Sequence, residues 1–246
     1  MEKSKKIVLL SLGGSVGKTL VATQCLYPNL PAARFLCVDQ TNDTAIDFGI
    51  KNCEAHSGDD FNRTYRALME ADGDVIVDVG GTKECKEFMS GMLLIDGSDE
   101  ITTIIIPSRP DSKDQACALE TIETLILDGV DKDKIKVIFT GTQKNAALEF
   151  AQLIFGMAEN GMAPDLELTI GYSPLFDEMI REKELIINIL ADTTDYKAAH
   201  AQRVKGDNTD YIGRLMRQKM AKSVWPNLQA VFAKLFPSES SVKRLH

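Results

Sequence analysis

Six short apolar runs, mostly of β-branched side chains, punctuate the chain at Ile7–Leu10, Phe35–Val38, Val75–Val79, Thr103–Pro107, Lys136–Phe139 and Leu166–Ile170. Each is nearly continuous in hydrophobic residues instead of alternating with polar ones, which is the pattern of a strand covered on both faces. Between the runs, apolar positions recur at helical spacing. This predicts helices starting at Lys18 and spanning Asp59–Glu70, Lys83–Leu94, Ser112–Leu127, Ala146–Glu159 and Leu175 to about Glu184. Short strands alternating with longer helices are repeated βαβ units. The predicted fold class is α/β, a mostly parallel twisted sheet flanked by helices on both faces.

The pattern changes toward the C-terminus. From Tyr211 to Ser223 a helix would carry Arg214, Arg217, Lys219 and Lys222 against Ile212, Leu215 and Met216. After Pro226, Leu228, Val231, Phe232, Leu235 and Phe236 recur at three- and four-residue spacing as an apolar stripe. Lys234 is the one cation within that stripe, so its composition favours packing back on the body over lying on a membrane surface. Charge sharpens the division: Lys197 onward holds ten Lys or Arg against three acids, whereas the residues before it hold 18 against 33. An acidic body joined to a basic tail suggests a polyanionic partner for the tail alone. The four cations could bridge duplex phosphates without reading bases, or form a solvated helix face.

At 246 residues and 44% hydrophobic the chain can bury one sizeable core. No apolar run reaches the roughly 18 residues of a membrane span, and "MEKSKKIVLLSLGG" leads straight into glycines, so the protein is expected to be soluble and cytoplasmic. The five cysteines, Cys25, Cys37, Cys53, Cys85 and Cys117, lack metal-ligand spacing and read as buried thiols. His56, isolated in "CEAHSGDD", reads as a surface residue.

Ligands of open parallel sheets bind beyond the carboxyl ends of the strands, so the residues after each run carry the chemistry. The first run is followed by Gly13, Gly14, Ser15, Val16, Gly17, Lys18 and Thr19, with Leu20 beginning the apolar helix. A strict phosphate-binding loop wants glycine at position 12, where this chain has Leu12, so the motif is displaced by a residue or two. Small residues let consecutive N–H groups curl around an anion at a helix N-terminus, Lys18 adds a point charge, and Thr19 offers a hydroxyl to Mg2+. The plainer alternative is a glycine turn joining strand to helix. Asp78 closes "DVIVDVGG", where it would reach Mg2+ through water while Gly80 and Gly81 admit a phosphate, and Asp39 closes "FLCVDQTND" in the same way. Either aspartate alone could be a helix cap. Arg109, in "PSRPD", either faces phosphates or lies in a solvent-facing turn.

With these residues the sequence resembles the ParA/MinD class of P-loop ATPases, and within it the plasmid stability and mobilisation proteins of the StbB and MobD type. The family's K-G-G-x-G-K-[ST] motif falls on Gly13 to Thr19, its VD-x-D-P-Q stretch on Val38 to Asn42, its strand ending in aspartate on Asp78, and its vPv-x-Ps segment on "IIIPSRPDSKDQ". The resemblance implies an ATP site with Mg2+ on Thr19, Asp39 and Asp78, and a nucleotide-dependent homodimer. It departs in three places. Gly13 stands where the family has a lysine that crosses to the partner's phosphates. Thr41 stands where the family has the aspartate that orients water, with Asp43 close enough to replace it. Thr140 falls near the asparagine that reads adenine. Base selection could instead pass to Thr142, Gln143 or the loop from Tyr172 to Pro174.

The expected organisation is a P-loop nucleotide-binding domain over 1–196 and a basic helical extension over 197–246 packed on it. The expected function is slow Mg-dependent ATP hydrolysis, resting on Lys18, Asp39 and Asp43, in partition, stability or conjugative mobilisation, with ATP or ADP and DNA or a DNA-bound protein as partners. The alternatives are a nucleotide-dependent binding module with little hydrolysis, a MinD-like regulator at a membrane surface, and a transferase of the wider P-loop superfamily.

Overall fold

The apolar runs assemble into one parallel sheet, although in the sixth, Leu166–Ile170, Leu166 and Glu167 form an exposed turn and only Thr169 and Ile170 are strand. The computed structural model describes residues 4–39, 45–204 and 207–237. Its strands are β1 (Lys6–Leu9), β2 (Arg34–Val38), β3 (Cys53–His56), β4 (Val75–Val79), β5 (Thr103–Ser108), β6 (Ile135–Thr142) and β7 (Thr169–Gly171), in the order β3-β2-β4-β1-β5-β6-β7. All pairings are parallel, and β1 lies between β4 and β5 with Leu9 opposite both Asp78 and Ile105. The chain leaves β1 toward β2 and later crosses back to β5. The carboxyl end of β1 is therefore the switch point, where a crevice opens in such sheets.

Side-chain alternation along β1 sends Val8 and Leu10 into one core layer and Ile7 and Leu9 into the other. Full burial of each of these aliphatic side chains contributes about 1.5–3 kcal/mol. The first layer is closed by α2 (Phe61–Met69), α3 (Thr82–Leu94), α4 (Ser112–Leu127) and α6 (Ala151–Glu159), the last preceded by the single turn α5 (Ala146–Glu149). The second is closed by α1 (Lys18–Leu20), which widens into a π-helical turn over Val21–Leu26, and by α7 (Pro174–Glu182), α8 (Ile186–Ala191) and α10 (Tyr211–Leu235), with α9 (Tyr196–Ala201) packed on α10.

Several expectations are corrected. The edge strand β3 has no apolar run: Cys53, Glu54 and Ala55 are only partly buried or exposed, and Arg34 holds Glu54 at 2.7 Å across the β2–β3 pair. His56 is not on the surface but buried at the end of β3, with Nδ1 2.9 Å from Thr64 Oγ1. Burial lowers its pKa, opposed by Glu54. The helix expected over Ala146–Glu159 breaks at the buried Phe150. Pro226 does not end the tail helix; α10 runs through it for 25 residues, about 37 Å. Proline removes one backbone donor, but Ala221 before it and Leu228, Val231 and Leu235 after it all bury in the second layer and hold both halves. The Asn227 side chain completes the lid, donating to Thr169 O at 2.9 Å and accepting from Gly171 N at 3.2 Å along the edge strand β7.

Candidate nucleotide site

Beyond β1 the chain doubles into a loop whose base is tied to both neighbouring helices. Thr82 Oγ1 donates to Leu12 O at 2.7 Å, and Leu12 N donates to Thr121 Oγ1 at 3.0 Å. Ser15 (φ 54°) and Gly17 (φ 102°) take left-handed conformations on either side of Val16, a sequence of dihedrals that turns successive N–H groups into one concavity. The φ of Gly17 is what calls for glycine there, since a Cβ would only come into ordinary contact with Thr140 at 3.4 Å.

Lys18, Thr19 and Asp78 form the chemical centre. Lys18 is buried, and its ammonium donates to Gly13 O at 3.0 Å and Ser11 O at 3.2 Å. Thr19 Oγ1 donates to Asp78 Oδ2 at 2.8 Å. Asp78 Oδ1 is buried without a hydrogen-bond partner. Burial pushes the Asp78 carboxyl up to about 6, with the Thr19 bond and Lys18 working against that and Asp39 adding to it. A buried, partnerless carboxylate oxygen beside a hydroxyl suits a hard divalent cation held by oxygen ligands, so the residues fit Mg2+. Asp39, after β2, packs its carboxyl against Gly80, where a Cβ would lie 2.9 Å from Asp39 Cγ. Asp43 and Thr41 lie outside the described residues.

Lys18, Thr19 and Asp39 border a cavity of 970 Å3, whereas Asp78 is not on its wall and reaches it only through the Thr19 hydroxyl; that volume is at the upper end of the range for small-ligand sites. Its wall includes Gly14 to Leu20, Asp39 and Gly80 together with Gln143, Tyr172, Phe176 and Ile180. Gly13 is not on the wall, and a Cβ there would lie 2.7 Å from Val16 Cγ1. Thr140 reaches the wall, but its hydroxyl lies 2.8 Å from Val16 O and 2.9 Å from Ser108 O, so it braces the loop from below. Tyr172 is on the wall and 56% exposed, an available face for a flat ring. Pro174 is absent from the wall; it opens α7 behind Ser173, whose hydroxyl caps that helix. Sequence reasoning missed Asp177 and Arg181, which α7 delivers beside Phe176 and Ile180. The i, i+4 pairing of Phe176 with Ile180 and of Asp177 with Arg181 on one helical stripe was the available signal.

Away from the cavity, the four tail cations do not share one surface. Lys219 and Lys222 are exposed, and Arg214 lies over the Tyr196 ring at 5.9 Å. Arg217 is partly buried and held by Glu184, by Glu182 at 2.7 Å and by Glu178 at 3.7 Å. No helix among the described residues is long and apolar enough to cross a membrane.

No family model and no curated protein matches the chain. Solved structures do. Apo McdA of Cyanothece is 15% identical with a TM-score of 0.53, covering 89% of this chain and 100% of its own. The cell division ATPase MinD of Pyrococcus furiosus is 12% identical with a TM-score of 0.51, over 90% and 99%. A candidate plasmid partition protein of Borrelia burgdorferi B31, bound to AMPPNP, is 14% identical with a TM-score of 0.50, over 90% and 99%. With a seven-stranded parallel sheet, helices on both faces and a glycine loop at the end of the central strand, the chain has the α/β P-loop NTPase fold of ParA/MinD-type ATPases.

Proposed function

We propose that this chain is a ParA-like, ATP-binding protein and a slow Mg-dependent ATPase, acting in plasmid or DNA partition, stability or conjugative mobilisation, with the StbB and MobD proteins as its nearest functional type. The observation that carries the reading is the Thr19–Asp78 pair with its buried Oδ1 unpartnered among the described residues, acted on by Lys18 of the glycine loop, with Lys18 and Thr19 on the cavity wall. The relatives' printed functions, cell division and plasmid partition, supply the biological direction.

In this reading the loop N–H groups and Lys18 bind the phosphates. Thr19 and, through water, Asp78 hold Mg2+, which when bound neutralises charge on the terminal phosphates. Asp39 orients the attacking water, with Asp43 as second candidate. The ring of the base rests against Tyr172 and the α7 stripe. The body is 1–196, and the extension 197–246 packs on it and offers Arg214, Lys219 and Lys222 to DNA. The working unit is a cytoplasmic, nucleotide-dependent homodimer.

A specific observation favours a second reading, in which the chain binds nucleotide and hydrolyses little: position 13 has neither a cation nor room for a side chain against Val16. Calorimetric titration with Mg·ATP, followed by phosphate release with and without DNA, separates the two. Binding with DNA-stimulated release supports the ATPase, and binding without release supports the module. No binding removes both.

A further inference from the structure

The nucleotide reading leaves two arginines of the cavity wall, Arg109 and Arg181, without a role. Arg109 follows β5, is exposed, and shares the wall with Gly14, Ser15 and Lys18. Among the described residues it makes no salt bridge and no side-chain hydrogen bond. Its root is nevertheless fixed. The carbonyl of buried Ser108 lies 2.9 Å from Thr140 Oγ1, the same hydroxyl that lies 2.8 Å from Val16 O in the glycine loop. On the other side, Pro110 O accepts from Gln115 Nε2 at 2.7 Å, and Asp111 accepts from Lys113 N at 2.9 Å. A guanidinium on a long stem thus stands beside the loop on a braced backbone, with all its donors available.

The surroundings call for such a charge. Lys18 is the only side-chain cation in the loop, and its ammonium is turned onto the carbonyls of Ser11 and Gly13. Asp39 lies on the same wall and adds to the upward push on the buried Asp78 carboxyl. The start of the loop can add no cation, because Gly13 is closed by Val16. Asp114, in the first turn of α4, is pushed upward by burial and by Asp111, while Arg109, Lys113 and Lys18 pull it down. The cavity's other arginine, Arg181, lies 3.6 Å from the Glu182 carboxylate.

We infer that Arg109 is the residue by which this site tells a nucleoside triphosphate from a diphosphate, its guanidinium turning over the glycine loop onto the terminal phosphate. The inference rests on the nucleotide reading of the same cavity. Charge-assisted contacts to phosphate are strong and geometrically selective for arginine, and only the triphosphate presents the outermost group.

The test is calorimetric titration of wild type, Arg109→Ala and Arg109→Lys with Mg·AMP-PNP and with Mg·ADP, with thermal melts of the unliganded proteins as a check on folding. Arg109→Ala is expected to weaken the triphosphate analogue by ~10-fold or more while leaving ADP within about twofold, and lysine should recover part of the loss. Equal losses for both nucleotides, or no loss for either, would overturn the inference. Wild type that binds neither nucleotide sinks the nucleotide reading with it. Wild type that binds in a Lys18-dependent way while Arg109→Ala is indifferent sinks the inference alone.

Discussion

The chain presents cations in two places, the loop after β1 and the first half of α10, and the structure neutralises them in opposite ways. Lys18 is satisfied by backbone carbonyls of its own loop, which a competing anion can replace, and Asp78, a carboxylate that Lys18 acts on, is engaged by Thr19. Arg217 is surrounded by three glutamates, Glu178, Glu182 and Glu184. The first arrangement leaves positive charge to be recruited. The second uses it to fasten α10 to the end of α7. A cation in a sequence therefore announces a ligand only when the fold has withheld its carboxylates.

The sharpest way to break that contrast is Lys18→Ala. Loss of the loop's only side-chain cation should weaken Mg·ATP binding by ~100-fold or more, as expected for a buried charge-assisted interaction with phosphate. Titration calorimetry would read it, and unchanged affinity would mean the loop is a turn and nothing more.

Asp78 offers the next effect, on stability. Its folded carboxyl is raised to about 6 from an ordinary 3.8, so the proton it binds stabilises the folded chain fully below about pH 4, and that contribution is lost as pH rises through 6. At pH 7 without Mg2+ the ionised group costs on the order of 2–3 kcal/mol. Asp78→Asn keeps an acceptor for Thr19 and removes the charge. The variant should unfold at a higher denaturant concentration than wild type at pH 7, the gap should close near pH 4, and Mg2+ should no longer add stability in the presence of nucleotide. A gap that is the same at both pH values would dissociate the effect from ionisation.

At α10 the prediction concerns packing of charge. Arg217→Ala leaves three partly exposed glutamates facing one another, a loss of about 1–2 kcal/mol after solvent screening, or several degrees in the melting midpoint. Raising salt should shrink the difference. A midpoint unchanged at low salt would mean the cluster contributes nothing.

Much of this was legible in the sequence because it is contiguous. Continuous apolar runs specify strands that are buried on both faces, and the glycine loop lies in one stretch directly after the first of them. What was not legible comes from elements that meet only in the fold. β3 sits at the sheet edge, where one neighbour suffices and no apolar run is demanded, so "CEAH" reads as loop and His56 as surface. Asp177 and Arg181 reach the cavity because α7 forms part of its wall; the i, i+4 spacing within α7 marks a stripe, but only the fold turns that stripe toward a ligand. Pro226 marks a break by local rule and is overruled by the apolar positions on either side of it. Thr140 falls where a base-reading residue was expected, yet its hydroxyl is committed to Val16 and Ser108.

The smallest expected effect separates the two kinds of tail cation most cleanly. Lys219 and Lys222 lie three residues apart, are both exposed, and share one side of α10, so they can approach neighbouring phosphates of a duplex together. If the helix meets DNA by charge, replacing both with alanine should lower affinity several-fold near 0.15 M salt and reduce the slope of log affinity against log salt by about 2, one unit for each phosphate no longer neutralised. Arg217→Ala, measured at a temperature where it is folded, should leave that slope unchanged, because its counterions are already glutamates. A lysine pair variant that matches wild type in affinity and slope would move any nucleic-acid binding off α10. An arginine variant that flattens the slope as much as the lysine pair would show that the glutamate cluster opens when DNA arrives, and the contrast between fastening and recruiting charge would have to be abandoned for this helix.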